Sequence, residues 1–156
     1  MSAACSRVDP QPAFVLHRRA WRETSLQLEL LTRDFGRGGV IARGARGARR
    51  GPGPCCQPFQ PLLVSWSGRT DLKTLTATEA LFPAPAIAGE RLYTALYVNE
   101  LLVRLLLQHD AHRAVFDAYA GLLPGIAAVE DLEPLLRRFE LRLLRELGYG
   151  MEFVHD

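Results

Sequence analysis

The stretch TSLQLELLT, Thr24 to Thr32, sets Leu26, Leu28 and Leu30 on one side of the chain and Gln27 and Glu29 on the other. Successive side chains of an extended backbone point to opposite faces, so this period of two is the alternation of a half-buried strand. Around it lie four more short segments of strand character: AFVLHRR from Ala13, GVIAR from Gly39, QPFQPLLVSW from Gln57 and LKTLTATEA from Leu72. Each is bounded by glycine, proline or charged turns. Five short strands with one long connection predict a small β-barrel. Pro58 and Pro61 lack the amide hydrogen a central ladder requires, so the fourth strand is expected to begin irregularly or at an edge.

Beyond the strands the period changes. LFPAPAIAGE, Leu81 to Glu90, holds two prolines and a glycine and suits neither element, which predicts a linker from Pro83 to Gly89. Glu90 to Gln108 carries Leu92, Leu96, Val103 and Leu107 at helical spacing; Tyr93, Leu102 and Leu106 widen the stripe until the helix should be covered on more than one side. A shorter helix is expected from Arg113 to about Leu123, ended by Pro124 and Gly125. The third helix has the clearest limits. Asp131 can cap it, Pro134 is tolerated in the first turn, and Gly148 suits the left-handed position after the last. Leu132, Leu136, Phe139, Leu143 and Leu147 line its expected core face. The fold class is therefore α+β: a five-stranded OB-fold barrel over residues 1–83, the barrel with this strand count, then a helical domain over 84–156.

With 156 residues, 48% of them apolar, and a mean hydropathy near zero, the chain can bury a core and is expected to fold. No apolar run reaches the roughly 18 residues of a membrane span, and MSAACSRVDPQPAF lacks the apolar stretch of a signal peptide. A cytoplasmic location is expected. Cys5, Cys55 and Cys56 match neither a disulfide framework nor a zinc knuckle, so they are expected to be reduced and to hold no metal.

The net charge of +2 conceals an asymmetry. Residues 1–83 hold twelve basic against six acidic side chains, and the remainder seven against eleven. A basic front half suggests an anionic partner. Its densest part, GRGGVIARGARGARRGPGP from Gly36 to Pro54, contains Arg37, Arg43, Arg46, Arg49 and Arg50 without an acid. Lys73 is the only lysine beside eighteen arginines, a compositional bias that dilutes the signal of arginine richness.

Catalysis is not suggested. The chain has no P-loop, dinucleotide glycine fingerprint, GxSxG elbow or HExxH, and no cofactor is expected. His109 and His112 in HDAH read as surface residues, and Glu130, Asp131 and Glu133 as the acidic start of a helix. Binding is suggested. Single-strand binders pair a basic groove with aromatic platforms on which bases stack. Arginines spaced among glycines suit phosphates through their forked donors, Arg69 and Lys73 follow Trp66 closely, and Phe59 and Trp66 each read either as core or as platform.

Five segments in order, AFVLHRRAWRETSLQLELLTRDFGR, VIARGAR, QPFQPLLVSWSGRTDLKTLTATEA, LYTALYVNELLVRLL and LRRFELRLLRELGYG, resemble the bacterial recombination mediator RecO. The resemblance runs from Ala13 to about His155. It implies an OB-fold followed by a helical domain, in a nucleoid-associated protein that binds single- and double-stranded DNA and anneals complementary strands. It also implies work with RecR, and often RecF, in loading RecA onto DNA coated by single-strand-binding protein, SSB. On that basis Arg37, Arg43, Arg46, Arg49, Arg50, Trp66, Arg69 and Lys73 are expected at the DNA surface. Leu102, Leu106, Arg137 and Arg138 are expected to receive the acidic, apolar-ended tail of SSB, with RecR docking on the barrel.

The chain departs from the family pattern in three places. GRGGV and RGPGPCCQPF are unusually rich in glycine, proline and cysteine, which implies a longer or looser loop. RecO chains continue well past the LGYG segment, where many hold a four-cysteine zinc site; this chain is expected to be a fragment or a short form, and no zinc is assigned. The rival expectations are a protein-interaction module that captures the SSB tail or RecR without useful DNA affinity, and a generic RNA-binding OB protein.

Overall fold

The computed structural model describes residues 7–47 and 53–148. Five strands, β1 (Arg7–Trp21), β2 (Ser25–Thr32), β3 (Gly36–Ala42), β4 (Leu62–Ser67) and β5 (Lys73–Ala80), precede three helices, α1 (Glu90–Leu105), α2 (Arg113–Ala128) and α3 (Leu132–Glu146). The strands close into a barrel in the order β1-β2-β3-β5-β4, antiparallel except where β3 runs parallel to β5. This is the OB topology expected from the strand count.

Closure follows from alternation. Leu26, Leu28 and Leu30 of β2 point into the barrel with Ala13 and Val15 of β1, Val40 of β3, and Leu62, Val64 and Trp66 of β4. β1 is long enough to pair with both β2 and β4, and register shifts between Val8 and Gln11 and between Val15 and His17 mark where it bends. β4 begins at Leu62, just after Pro61, as the prolines required. The basic segment is not all loop: Gly36 to Ala42 is β3.

A second core lies outside the barrel. Phe14, Leu16 and Leu31 come from the outer faces of β1 and β2, and Phe59 from the chain before β4; they pack against Val98 and Leu102 of α1, Phe116, Tyr119 and Ile126 of α2, and Phe139 and Leu143 of α3. Phe14 meets the Tyr119 ring edge-on at 5.0 Å. Polar contacts fix the seam. Arg33 of the β2–β3 turn pairs with Asp117 at 3.1 Å and Asp34 with Arg113 at 2.7 Å. The His109 amide donates to the Arg37 carbonyl at 2.8 Å. Gly36 leaves no room for a Cβ beside the Asp110 backbone.

Two helices differ from the reading of their sequences. In α1 the buried face is Ala95, Val98, Asn99 and Leu102, while Leu92, Tyr93 and Leu96 are exposed, as is Leu107 beyond its end. The helix is apolar around most of its girth, so the periodicity of its leucines could not select a face. α2 runs on through Pro124 and Gly125 to Ala128. An interior proline costs about 3 kcal/mol, but full burial of Leu123 and Ile126, each 1% exposed, contributes about 1.5–3 kcal/mol apiece, which offsets that cost. Gly125 also admits Leu135 of α3, whose Cδ2 would lie 3.0 Å from an added Cβ. α3 forms as expected: Asp131 accepts from the Glu133 amide at 3.2 Å and Gly148 adopts φ 85°.

Candidate nucleic-acid interface

Strand register decides which cations meet. Ala42 stands opposite Leu26, which brings the end of β3 beside the β1–β2 turn; Val40 and Ile41 pair in parallel with Lys73 and Thr74, which brings the start of β5 to the same place. Between them opens a groove of about 840 Å³, lined by Trp21 at the end of β1, Arg22 and Glu23 from the turn, Ile41 and Arg43 from β3 and its end, and Leu72, Lys73 and Thr74 at β5. The Lys73 Nζ donates to the Gly68 carbonyl at 3.1 Å, which holds the ammonium against the β4–β5 turn. The Arg46 amide donates to the Thr24 carbonyl at 3.0 Å and ties the following loop to the β1–β2 turn. Arg43, Arg46 and Arg69 are exposed. The groove can neutralise phosphates from several directions with one acid, Glu23, among its lining residues.

Of the expected DNA-contacting residues, Arg43 and Lys73 share this groove, Arg46 lies in the loop tied to its edge, and Arg69 is in the β4–β5 turn. Arg49 and Arg50 fall outside the described residues. Arg37 is committed elsewhere: its guanidinium pairs with Glu29 and donates through Nε to the Leu106 carbonyl at 2.9 Å, so it serves the seam with the helices. Trp66 is corrected from platform to core. It shares the parity of Leu62 and Val64, is 7% exposed, and meets Phe35 edge-on at 5.5 Å, leaving no face for a base. Phe59 is likewise core.

Sequence reasoning passed over Trp21 and Arg22. Trp21 ends β1 half-buried in the groove, and the Arg22 guanidinium lies 5.8 Å from the centre of its ring. The available signal was an aromatic side chain beside an arginine at the point where a strand gives way to a polar turn.

The expected peptide site does not assemble as drawn. Leu102 and Leu106 are 0% and 2% exposed and belong to the core, so they cannot receive a tail. Arg137 and Arg138 are exposed on α3, where Arg137 pairs with Glu140 at 2.7 Å. The Tyr97 hydroxyl of α1 donates to the same Glu140 at 3.0 Å, and its partial burial and this carboxylate push its pKa up. His112 bonds Asp110 at 3.2 Å, and among the described residues no group of histidines, cysteines and acids is arranged to hold a metal. Burial pushes the Cys56 thiol up to about 12, which keeps it a neutral core group. No helix among the described residues is long and apolar enough to cross a membrane.

A closed barrel of this strand order, with a basic groove between its turns and helices on its outer wall, places the chain among OB-fold proteins. More narrowly, the chain belongs to the RecO family: residues 9–84 match the N-terminal family model of recombination protein O and residues 88–156 the C-terminal one. It is 50% identical over 145 residues to the DNA repair protein RecO of Aromatoleum aromaticum, covering 93% of this chain and 60% of that one. With the DNA repair protein RecO of Methylococcus capsulatus the identity is 51% over 147 residues, covering 94% and 61%. With that of Nitrosococcus oceani it is 48% over 150 residues, covering 96% and 61%. The chain thus spans about three fifths of the length of these relatives.

Proposed function

We propose that this chain is a non-catalytic recombination mediator that binds single-stranded DNA in the barrel groove, anneals complementary strands, and helps RecR and RecF load RecA onto SSB-coated DNA. The observation that carries the reading is the meeting of Arg22, Arg43 and Lys73 between the β1–β2 turn and β5, the side on which OB barrels bind oligonucleotides through the corresponding turns. Phosphate contacts supply most of the affinity and little sequence preference. Anisotropy of a labelled single strand across a salt series tests it. If about five cations engage, log affinity falls with log salt at a slope of roughly 3 to 4. Replacing Arg43, Arg46, Arg69 and Lys73 by alanine should flatten the slope and weaken binding, whereas salt-independent binding would sink the mechanism.

A second reading, capture of the SSB tail, is favoured by the outer helical surface, where Tyr93, Leu96 and Tyr97 of α1 are exposed and the Tyr97 hydroxyl shares Glu140 with Arg137 of α3. Apolar rings beside cations suit an acidic peptide with an apolar end. Titration with a tail peptide should give weaker capture by Arg137→Ala/Arg138→Ala; unchanged capture moves the peptide to another surface.

A further inference from the structure

Resting on the reading of the groove as a nucleic-acid interface, we infer that Trp21 is its base-stacking platform and that the groove thereby selects strands with unpaired bases. The two tryptophans of the chain are used differently. Trp66 fills the barrel interior at 7% exposure, whereas Trp21 belongs to neither hydrophobic core and stands half-buried in the wall of a polar groove. An indole kept partly in water contributes less to folding than a buried one. Its π-face in a cationic groove suits a nucleobase.

Arg22 supplies an independent observation. It adopts φ 53°, in the left-handed region where glycine or asparagine is the ordinary occupant. A glycine would satisfy that turn without strain. The arginine instead sets its guanidinium over the Trp21 ring at 5.8 Å, within the reach of a cation–π contact. A planar cation resting on an indole occupies the place a planar base would take, and on displacement it remains beside the strand to meet a phosphate. Arg43 and Lys73 line the same groove and Ile41 and Leu72 add apolar wall, so a base on Trp21 has its backbone within a cationic surround. Bases inside a duplex are already stacked on one another, so the platform has nothing to hold there. The phosphate contacts alone would not distinguish the two forms.

The full chain with Trp66→Phe leaves Trp21 as the only tryptophan, and its emission is followed while oligothymidylate is added. Quenching that saturates with the anisotropy signal is expected. Trp21→Ala should weaken single-strand binding about five- to a hundred-fold with the salt slope unchanged, Trp21→Phe should retain most of the affinity, and duplex binding should be the same in all three chains. Should Trp66→Phe fail to fold, the difference in emission between the unaltered chain and Trp21→Phe isolates the same fluorophore. Salt-steep binding with unquenched Trp21 emission, or a Trp21→Ala chain that binds the single strand as tightly as the original, overturns the inference and leaves the interface standing. Absence of any binding by the folded, unaltered chain removes the interface and the platform together.

Discussion

Asn99 joins three elements with one side chain. From the middle of α1 its Nδ2 donates to the Leu16 carbonyl of β1 at 3.3 Å, and its Oδ1 accepts from the Tyr119 hydroxyl of α2; it is 2% exposed. Burial pushes the Tyr119 hydroxyl far above its ordinary range, so it remains a donor. Asn99→Ala leaves a buried hydroxyl and a buried carbonyl unpaired, at about 1–3 kcal/mol each, and we expect a loss on the order of 2–4 kcal/mol in urea unfolding. Adding Tyr119→Phe to it should cost little more, because the orphaned hydroxyl goes with it; strictly additive losses would show that the pair is not coupled. At this scale legibility was uneven. Trp66 shares strand parity with Leu62 and Val64, which the sequence already contained. Asn99, by contrast, reads as a polar interruption of an apolar run until the partners from β1 and α2 are seen.

Among the elements, α3 was legible from end to end because its signals are local: a carboxylate at the first amides, a proline where no bond is lost, and a glycine at the left-handed exit. Asp131→Ala should lower stability by about 1 kcal/mol, with Asp131→Asn retaining most of it, read as a shift of the urea midpoint at constant slope. No shift would mean that packing alone sets the start of α3. The strands were legible for a similar reason, since alternation is a property of neighbours in sequence. α1 and α2 were not. Leucines at Leu92, Leu96 and Leu107 mark a helical period but face outward, because small Ala95 and polar Asn99 allow the close approach that decides which side is covered. Pro124 marks a local stop, yet α2 continues because Leu123 and Ile126 are already held by the second core.

For the whole molecule, the consequential feature is that barrel and helices share a hydrophobic core, with Phe14, Leu16 and Leu31 as its barrel side. Strand β2 carries leucines on both faces in its second half, Leu30 inward and Leu31 under the helices. We expect one cooperative transition: tryptophan emission, which reports the barrel, and helical ellipticity should give coincident denaturant curves. Separated curves would show that the seam formed by Arg33, Asp117, Asn99 and Gly36 does not couple the halves. The sequence by itself determined the strand count, the order of elements, the ends of α3 and the basic character of the front half, because these depend on alternation, capping and composition along the chain. Only the tertiary structure decided which face of α1 is buried, that Arg37 belongs to the seam and Trp66 to the core, and that Trp21, Arg22, Arg43 and Lys73 share one groove. These depend on barrel register and on what covers each face, and residues far apart in sequence acquire those neighbours only when the barrel closes.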